Sequence, residues 1–198
     1  MLTLILGGAR SGKSDLAERL AHASGRNVLF LATMDPRDDD LRLRVERHRA
    51  GRPSAWRTVE EQHDVLTTLE SQARSGDFII VDCMTMWISN LMLTRLGDDD
   101  NVPAADVAGA IDEASERARS LAEWAAAFDG HVAVVSNEVG AGVVPAYPLG
   151  RAFRDALGAA NRVCAEHADR VYWLTAGLAL ELKSLGARPL DPIAEDRR

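Results

Sequence analysis

One segment constrains the fold of this chain more than any other: a glycine-rich turn between an apolar run and a helical pattern. Residues 7–14 read GGARSGKS and match the motif G-x-x-x-x-G-K-[ST]. They directly follow the apolar run of residues 2–6. A helical pattern over residues 13–23 begins at their end, with Leu16 and Leu20 four residues apart. A strand, a glycine-rich turn and a helix in this order predict a P-loop in an α/β domain.

The residue types of this turn suit the binding of a nucleotide's phosphates. Glycines let backbone N–H groups curl around anionic oxygens, and the helix N-terminus adds partial positive charge. Lys13 would reach the β- and γ-phosphates, and the hydroxyl of Ser14 would bind Mg²⁺. Asp82 ends the apolar run of residues 78–81 and is the candidate to complete the Mg²⁺ site; the alternative is that it caps the following helix. No Asn-Lys-x-Asp motif is present, so no familiar signature identifies the base.

Further apolar runs repeat the pattern of short buried strands separated by helices. Strands are predicted at residues 27–33, 78–82, 131–136 and 170–175. Helices are predicted at residues 41–49, 65–74, 85–96, 104–128 and 149–167. This alternation indicates right-handed βαβ units and a mostly parallel sheet flanked by helices. We therefore expect a single α/β domain over residues 1–185 and a loosely held tail at residues 186–198, which is rich in charge.

Composition excludes several classes of protein. The chain has 198 residues, of which 46% are hydrophobic and 27% charged, with a net charge of −7. These values argue against disorder, and the negative balance argues against nucleic-acid binding. Two cysteines form no disulfide framework and suit a reducing cytoplasm. No apolar run approaches the roughly 20 residues that span a bilayer. We therefore expect a cytoplasmic protein with no membrane span and no nucleic-acid partner.

Residues 38–53 concentrate charge around a histidine. On the predicted helix, His48 shares one face with two aliphatic residues, and Arg44 lies four positions before it. Arg49 and Arg52 follow at the helix end and the adjoining turn. A histidine ringed by arginines suits contact with a polyphosphate. The alternatives are a hydrogen-bonded core histidine and a solvated arginine-rich face. Glu60 could accept hydrogen bonds from a base or ribose, or be a surface carboxylate.

A second glycine-containing loop follows the predicted strand 131–136. Residues 136–145 read SNEVGAGVVP. Loops at the carboxyl ends of parallel strands form the ligand crevice of an open sheet. Asn137 and Glu138 are therefore expected to face the same crevice as Gly12 and Asp82. The alternative is a plain connecting loop.

Together these segments resemble a known family. The matching pieces are GGARSGKS at residues 7–14, LAT at 31–33, DDDLRLRVERHRAGRPSAWRTVE at 38–60, VDCMTMWISNLML at 81–93, SNEVGAGVVP at 136–145 and the stretch at 151–183. The P-loop alone is generic, but its combination with H-R-x-x-R-P, W-R-T-x-E and N-E-V-G-x-G is specific. Over residues 2–183 the chain resembles the bifunctional adenosylcobinamide kinase/adenosylcobinamide-phosphate guanylyltransferases of cobalamin biosynthesis.

The resemblance implies two reactions in a RecA-like P-loop domain. A nucleoside triphosphate, ATP or GTP, phosphorylates adenosylcobinamide. GTP then guanylylates a histidine, and the GMP passes to adenosylcobinamide phosphate, which gives adenosylcobinamide-GDP. His48 stands where the family's H-R-x-x-R-P histidine stands, so the resemblance makes it the nucleophile. Lys13 acts at the γ-phosphate, Mg²⁺ is bound by Ser14 and Asp82, and the assembly is a homotrimer.

The resemblance also implies which residues bind nucleotide. They are Gly7, Gly8, Ala9, Arg10, Ser11, Gly12, Lys13, Ser14, Ala32, Thr33, Met34, Arg49, Ala50, Gly51, Arg52, Glu60 and Asp82. Because one domain has to serve both reactions, we expect one nucleotide site with a mobile segment at residues 41–53. The chain departs from the family pattern at Asn161-Arg162 and at Gly177-Leu178-Ala179. Neither departure is expected to touch the nucleotide residues.

Two other readings are compatible with the residues themselves. The first is another P-loop small-molecule kinase that uses Lys13 and Mg²⁺ without a covalent histidine. The second is a nucleotide-gated binding or regulatory module. The absence of a separate effector domain in the sequence weighs against the second reading.

Overall fold

The computed structural model of the chain describes residues 1–35, 52–98 and 102–190. In these residues seven strands form one sheet in the order β3-β2-β4-β5-β1-β6-β7. The strands are β1 (Leu2–Gly7), β2 (Val28–Ala32), β3 (Arg57–Glu60), β4 (Phe78–Asp82), β5 (His131–Asn137), β6 (Arg170–Thr175) and β7 (Leu178–Glu181). The β6–β7 pair is antiparallel, and the other neighbouring pairs are parallel. The carboxyl ends of six strands therefore meet at one edge of the sheet.

The sheet is covered on both faces. The described helices are α1 (Lys13–Ser24), α2 (Val65–Gln72), α3 (Met84–Leu96), α4 (Ala104–Ala127) and α5 (Pro148–His167). Side chains alternate along each central strand, so Leu4 of β1 packs in the cluster with α2 to α5, whereas its neighbour Ile5 packs with α1. Burial on both faces explains why the central strands are continuous apolar runs in the sequence.

The predicted α/β class with a mostly parallel sheet is confirmed. The five predicted strands and the helices at residues 13–23, 65–74, 85–96, 104–128 and 149–167 each have a counterpart, with ends that differ by a few residues. The predicted helix at residues 41–49 lies outside the described residues. β3 and β7, which were not predicted, are the two edges of the sheet.

Candidate functional site

The carboxyl ends of four neighbouring strands place a row of residues side by side. Ala32 of β2 pairs with Glu60 of β3 on one side and with Asp82 of β4 on the other, and Asp82 pairs with Val135 of β5. All four residues line one cavity of about 600 Å³. The cavity thus opens where an open parallel sheet is expected to hold its ligand.

The P-loop forms the next part of the wall. Arg10 and Gly12 take left-handed backbone conformations, with φ of 55° and 96°, and α1 begins immediately afterwards at Lys13. Successive residues with alternating backbone handedness turn their N–H groups toward a common point, where an anion fits. Lys13 is nearly buried, and its Nζ donates a hydrogen bond of 2.6 Å to the carbonyl oxygen of Gly8. A Cβ at Gly7 would overlap the carbonyl oxygen of Leu174, so this position requires glycine.

The cavity collects most of the described residues that were predicted to bind nucleotide. Three of them, Gly7, Gly8 and Thr33, are not part of its lining, and Thr33 is fully buried. His48, Arg49, Ala50 and Gly51 lie outside the described residues. The lining residues are Ala9, Arg10, Ser11, Gly12, Lys13, Ser14, Asp15, Ala32, Met34, Arg52, Glu60, Asp82, Cys83, Val135, Asn137 and Gly177.

Arg52 reaches the cavity from a segment that is anchored to the sheet. Its guanidinium carbon lies 3.6 Å from the ring centroid of Phe30, a buried residue of β2. Four positions further along, the ring of Trp56 lies 4.9 Å from that of His22 on α1. A cation over an aromatic face is stabilised by the ring quadrupole, so Phe30 holds the guanidinium at the cavity wall.

Two oxygen-bearing side chains at the cavity suit a divalent cation. Ser14 follows Lys13 in the P-loop, and Asp82 ends β4, and both belong to the lining. α3 begins at Met84 with Cys83 in the N-cap position, so the reading of Asp82 as the helix cap is wrong. No group of three or more His, Cys, Asp or Glu residues able to hold a metal occurs in the described residues. One carboxylate and one hydroxyl, completed by phosphate oxygens and water, fit the way Mg²⁺ binds with nucleotides.

Asn137, the last residue of β5, and Glu138 in the loop after it were both predicted to face the crevice, and one of the two lines the cavity. Asn137 lines the cavity, whereas Glu138 is not in the lining and its Oε1 accepts a 2.5 Å hydrogen bond from the N–H of Gly140. Asn161 of α5 lies beneath this loop, and its Nδ2 donates to the carbonyl oxygen of Asn137 at 3.0 Å. Asn161, which precedes the family departure at Arg162, therefore adjoins a cavity residue.

The position of the turn between β6 and β7 shows that one prediction about Gly177 is wrong. Gly177 was expected to lie away from the nucleotide residues, but it lines the cavity, and its N–H donates to the carbonyl oxygen of Ser11 at 3.2 Å. The antiparallel return of β7 places this turn against the P-loop, because β6 is the strand beside β1. No local motif marks such a contact, since it depends on which strand neighbours β1.

Comparison with known proteins identifies the family. The family model described as cobinamide kinase / cobinamide phosphate guanyltransferase matches residues 3–182. The chain belongs to this family. It is 42% identical over 183 residues to the bifunctional adenosylcobalamin biosynthesis protein CobP of Pseudomonas aeruginosa, covering 92% of this chain and 98% of that protein. It is 35% identical over 184 residues to the CobU protein of Escherichia coli, covering 92% of this chain and all of that protein.

These matches confirm the predicted family, its kinase and guanylyltransferase activities, and the enzyme class. A solved structure of a Pyrococcus horikoshii OT3 protein matches with a TM-score of 0.51 at 7% identity, over 96% of this chain and 87% of that one. That likeness concerns the fold alone and agrees with the α/β P-loop class. Among the described residues, no helix is both long enough and apolar enough to cross a membrane.

The cavity of this cobinamide kinase/guanyltransferase contains a cysteine that the sequence did not single out. Burial and the negative charge of the neighbouring Asp82 raise the pKa of the Cys83 thiol to about 11. The thiol is therefore protonated at neutral pH and is a poor nucleophile there. The described cavity has a phosphate cradle, a lysine, two arginines and two candidate metal ligands, and these groups suit phosphoryl binding and transfer.

Proposed function

We propose that this chain carries out both reactions of its family at one nucleotide site and that the second passes through a guanylylated His48. In the first, the aminopropanol hydroxyl of adenosylcobinamide attacks the γ-phosphorus, the bond to the β-phosphate breaks, and the hydroxyl proton is released. In the second, an imidazole nitrogen of His48 attacks the α-phosphorus of GTP and expels pyrophosphate. The phosphate of adenosylcobinamide phosphate then attacks that phosphorus, the P–N bond breaks, and free His48 is restored.

The observation that carries this proposal is that Lys13 and Arg52 line the same cavity. Lys13 belongs to the P-loop, which suits the γ-phosphate end of a triphosphate. Arg52 lies four residues after His48 in the sequence, and four residues of chain span at most about 14 Å. The covalent chain therefore limits the distance between His48 and Arg52 to about 14 Å, which supports the assignment of both residues to one site. A shared site accounts for two activities on a chain of 198 residues.

The remaining nucleotide-binding residues take roles that follow from their positions. We assign the β- and γ-phosphates to the backbone of residues 8–13 and to Lys13, and the base and ribose to the side where Met34 and Glu60 lie. Ser14 and Asp82 would hold Mg²⁺, which neutralises charge on the phosphates and orients them when bound. Either ATP or GTP fits the phosphate end, because its contacts do not depend on the base.

The wider setting of the enzyme is also proposed. We place it in the cytoplasm, because Cys83 and Cys164 are both free thiols. We assign one catalytic domain to residues 1–185, since β7 pairs with β6 and the N–H of Leu182, directly after β7, donates to the carbonyl oxygen of Val171 at 2.8 Å. We assign the assembly as a homotrimer, supported by exposed apolar side chains on β7, where Leu178 and Leu180 are 71% and 52% exposed.

The covalent intermediate is tested with GTP labelled at the α-phosphate. We expect the folded protein, incubated with this GTP and Mg²⁺, to retain label after denaturation. A phosphoramidate bond makes the label acid-labile and alkali-stable. His48→Ala should abolish labelling. His167→Ala is the matched control, because His167 lies at the end of α5 and is absent from the cavity lining, and it should label like the wild type.

Each other outcome has a definite meaning. If the folded wild type takes up no label but phosphorylates adenosylcobinamide, the chain is a P-loop kinase without a covalent histidine. Label that persists in His48→Ala assigns the nucleophile to another residue. Nucleotide binding without turnover of either corrinoid substrate would identify a regulatory module and contradict the proposal.

A further inference from the structure

Three separate segments line the cavity at the carboxyl ends of β2, β3 and β4. They are Met34, two residues after β2, Glu60 at the end of β3, and Asp82 at the end of β4 with Cys83 directly after it. Each segment leaves the sheet at a different strand, and β3 is an edge strand of only four residues. The position of one wall relative to the others therefore depends on contacts beyond the strand ladder.

Thr33 links two of these segments from behind the cavity. Its side chain is fully buried, and its Oγ1 donates to the carbonyl oxygen of Cys83 at 2.7 Å and accepts from the N–H of Cys83 at 2.8 Å. Its own N–H donates to the carbonyl oxygen of Asp82 at 3.1 Å. The hydroxyl thus serves both backbone groups of Cys83 and joins the end of β2 to the end of β4.

Asn90 of α3 brings in the third segment. It is 1% exposed, and its Nδ2 donates to the carbonyl oxygen of Thr33 at 2.9 Å and to that of Gln62, two residues after Glu60, at 3.2 Å. One turn earlier on α3, the indole N–H of Trp87 donates to the carbonyl oxygen of His63 at 2.8 Å. A single amide nitrogen therefore holds the end of β2 and the loop after β3 at a set separation.

We propose that Asn90 is a positioning residue for the nucleotide, acting through Thr33 and Gln62 rather than by contact. The proposal rests on the nucleotide site of the proposed function. The amide group has two N–H donors, and each meets one backbone carbonyl. An aliphatic side chain would leave both carbonyls without this donor, in surroundings where an unpaired polar group is costly. The expected response is a shift of the loop after β3, which moves the Glu60 wall relative to Met34.

The test compares Asn90→Leu with the wild type in nucleotide binding and in kinase kinetics. Leucine has the same branching at Cγ and the same number of side-chain heavy atoms, and it removes the donors. We expect the Kd and the KM for the nucleotide to rise about tenfold, because both hydrogen bonds that hold the Glu60 wall against Thr33 are lost, with kcat changed less than about threefold. The matched control is Thr3→Val, which removes the buried 2.8 Å hydrogen bond between Thr3 and His131 near the other end of the sheet. This control should lower the thermal unfolding midpoint but leave KM unchanged.

A second pair of variants keeps the test decisive if Asn90→Leu fails to fold. Thr33→Val removes the hydroxyl that holds Cys83, and Thr33→Ser retains it. The Val variant should raise KM, and the Ser variant should restore it. An unchanged KM in Asn90→Leu, or equal KM values in the two Thr33 variants, overturns the positioning role. If wild-type protein itself binds neither GTP nor ATP in direct titration, the proposed function fails first, so the two failures are distinguishable.

Discussion

At the scale of single residues, neighbouring polar side chains at the carboxyl end of the sheet face in opposite directions. Asp82 faces the cavity and pairs with Ala32 of β2. The next residue after Ala32 is Thr33, and its hydroxyl makes both of its hydrogen bonds to the backbone of Cys83. Alternation along the strand produces this division, because successive side chains point to opposite sides. A residue inside a segment that carries the family resemblance can therefore serve the site by holding its wall.

A single buried residue, His131, makes the stability of the fold depend on pH. It lies at the amino end of β5, is 8% exposed, and its Nε2 lies 2.8 Å from Thr3 Oγ1. Burial, with the positive charge of the chain's N-terminus, lowers the pKa of His131 from 6.5 to about 4. The unfolded chain binds its proton near pH 6.5, before the folded state does. Stability is therefore complete above pH 6.5 and is lost as the pH falls toward 4.

We expect the free energy of unfolding to fall by roughly 2 kcal/mol from this residue between pH 7 and 4.5. Urea unfolding of wild type and His131→Gln at both values isolates the contribution, since the other titrating groups are common to the two proteins. The variant should show the smaller pH dependence. Equal pH dependence in the two proteins, or an NMR titration of His131 near 6.5, would contradict this account.

At the scale of elements, the two edge strands depend on contacts that are distant in sequence. Arg57 of β3 pairs with Asp77, which is buried before β4, and also donates to the carbonyl oxygen of Gln72 at 2.8 Å. Glu181 of β7 accepts a 3.1 Å hydrogen bond from the N–H of Val171. Both strands have only four residues, so neither offers enough periodicity to be predicted.

In the turn that joins β6 to β7, residue 176 has a backbone conformation that asparagine adopts more readily than alanine. Ala176 and Gly177 have φ of 49° and 78°, as in a two-residue hairpin turn with both central residues left-handed. Alanine is strained there, whereas Asn is favoured at the first position. We expect Ala176→Asn to raise the free energy of unfolding by about 0.5–1 kcal/mol, measured by urea denaturation. Ala179→Asn, within the exposed part of β7, is the control and should not stabilise; equal effects would contradict the turn argument.

The difference between local motifs and contacts that are distant in sequence explains how much of the fold and site could be predicted. The P-loop, Lys13 and Asp82 were accessible because local motif and strand order place them. Gly177 was not, since its approach to Ser11 depends on β6 lying beside β1. Asn90 lies in a segment that resembles the family. Its proposed role could not be predicted, however, because it depends on how far the residues after β2 lie from those after β3. The sequence therefore predicts residues that belong to a motif. The residues that hold the motif in place depend on tertiary packing, so they could not be predicted from the sequence.

At the scale of the whole molecule, the question is how a protein with a net negative charge binds a negatively charged nucleotide. The net charge is −7, and the described lining contains three cationic residues, Arg10, Lys13 and Arg52, beside carboxylates that include Asp82. Such a mixed lining suits a nucleotide that carries Mg²⁺ better than a free triphosphate, because Asp82 would hold the metal while the cationic side chains would bind the phosphates. Charge is matched locally while the remainder stays acidic.

Assembly is the last property at this scale, and two separate apolar surfaces bear on it. One is on β7 at the sheet edge, with Leu178 and Leu180 on the same side. The other is in the loop before α5, where Val143 is 94% and Tyr147 55% exposed. A threefold ring needs contacts between two different surfaces of each protomer, whereas a twofold dimer uses one surface twice. Two unlike patches therefore fit the proposed homotrimer.

We expect sedimentation equilibrium to give a mass near three times the 21.5 kDa of one chain. Leu178→Glu with Leu180→Glu should shift the protein toward monomer, because charge on an apolar contact surface is desolvated without a partner. Leu190→Glu adds charge at a leucine that is even more exposed but lies outside β7, and it should leave the mass unchanged. A wild-type mass of one or two chains contradicts the trimer. A trimer that survives both β7 substitutions keeps the assembly but moves the contact away from β7.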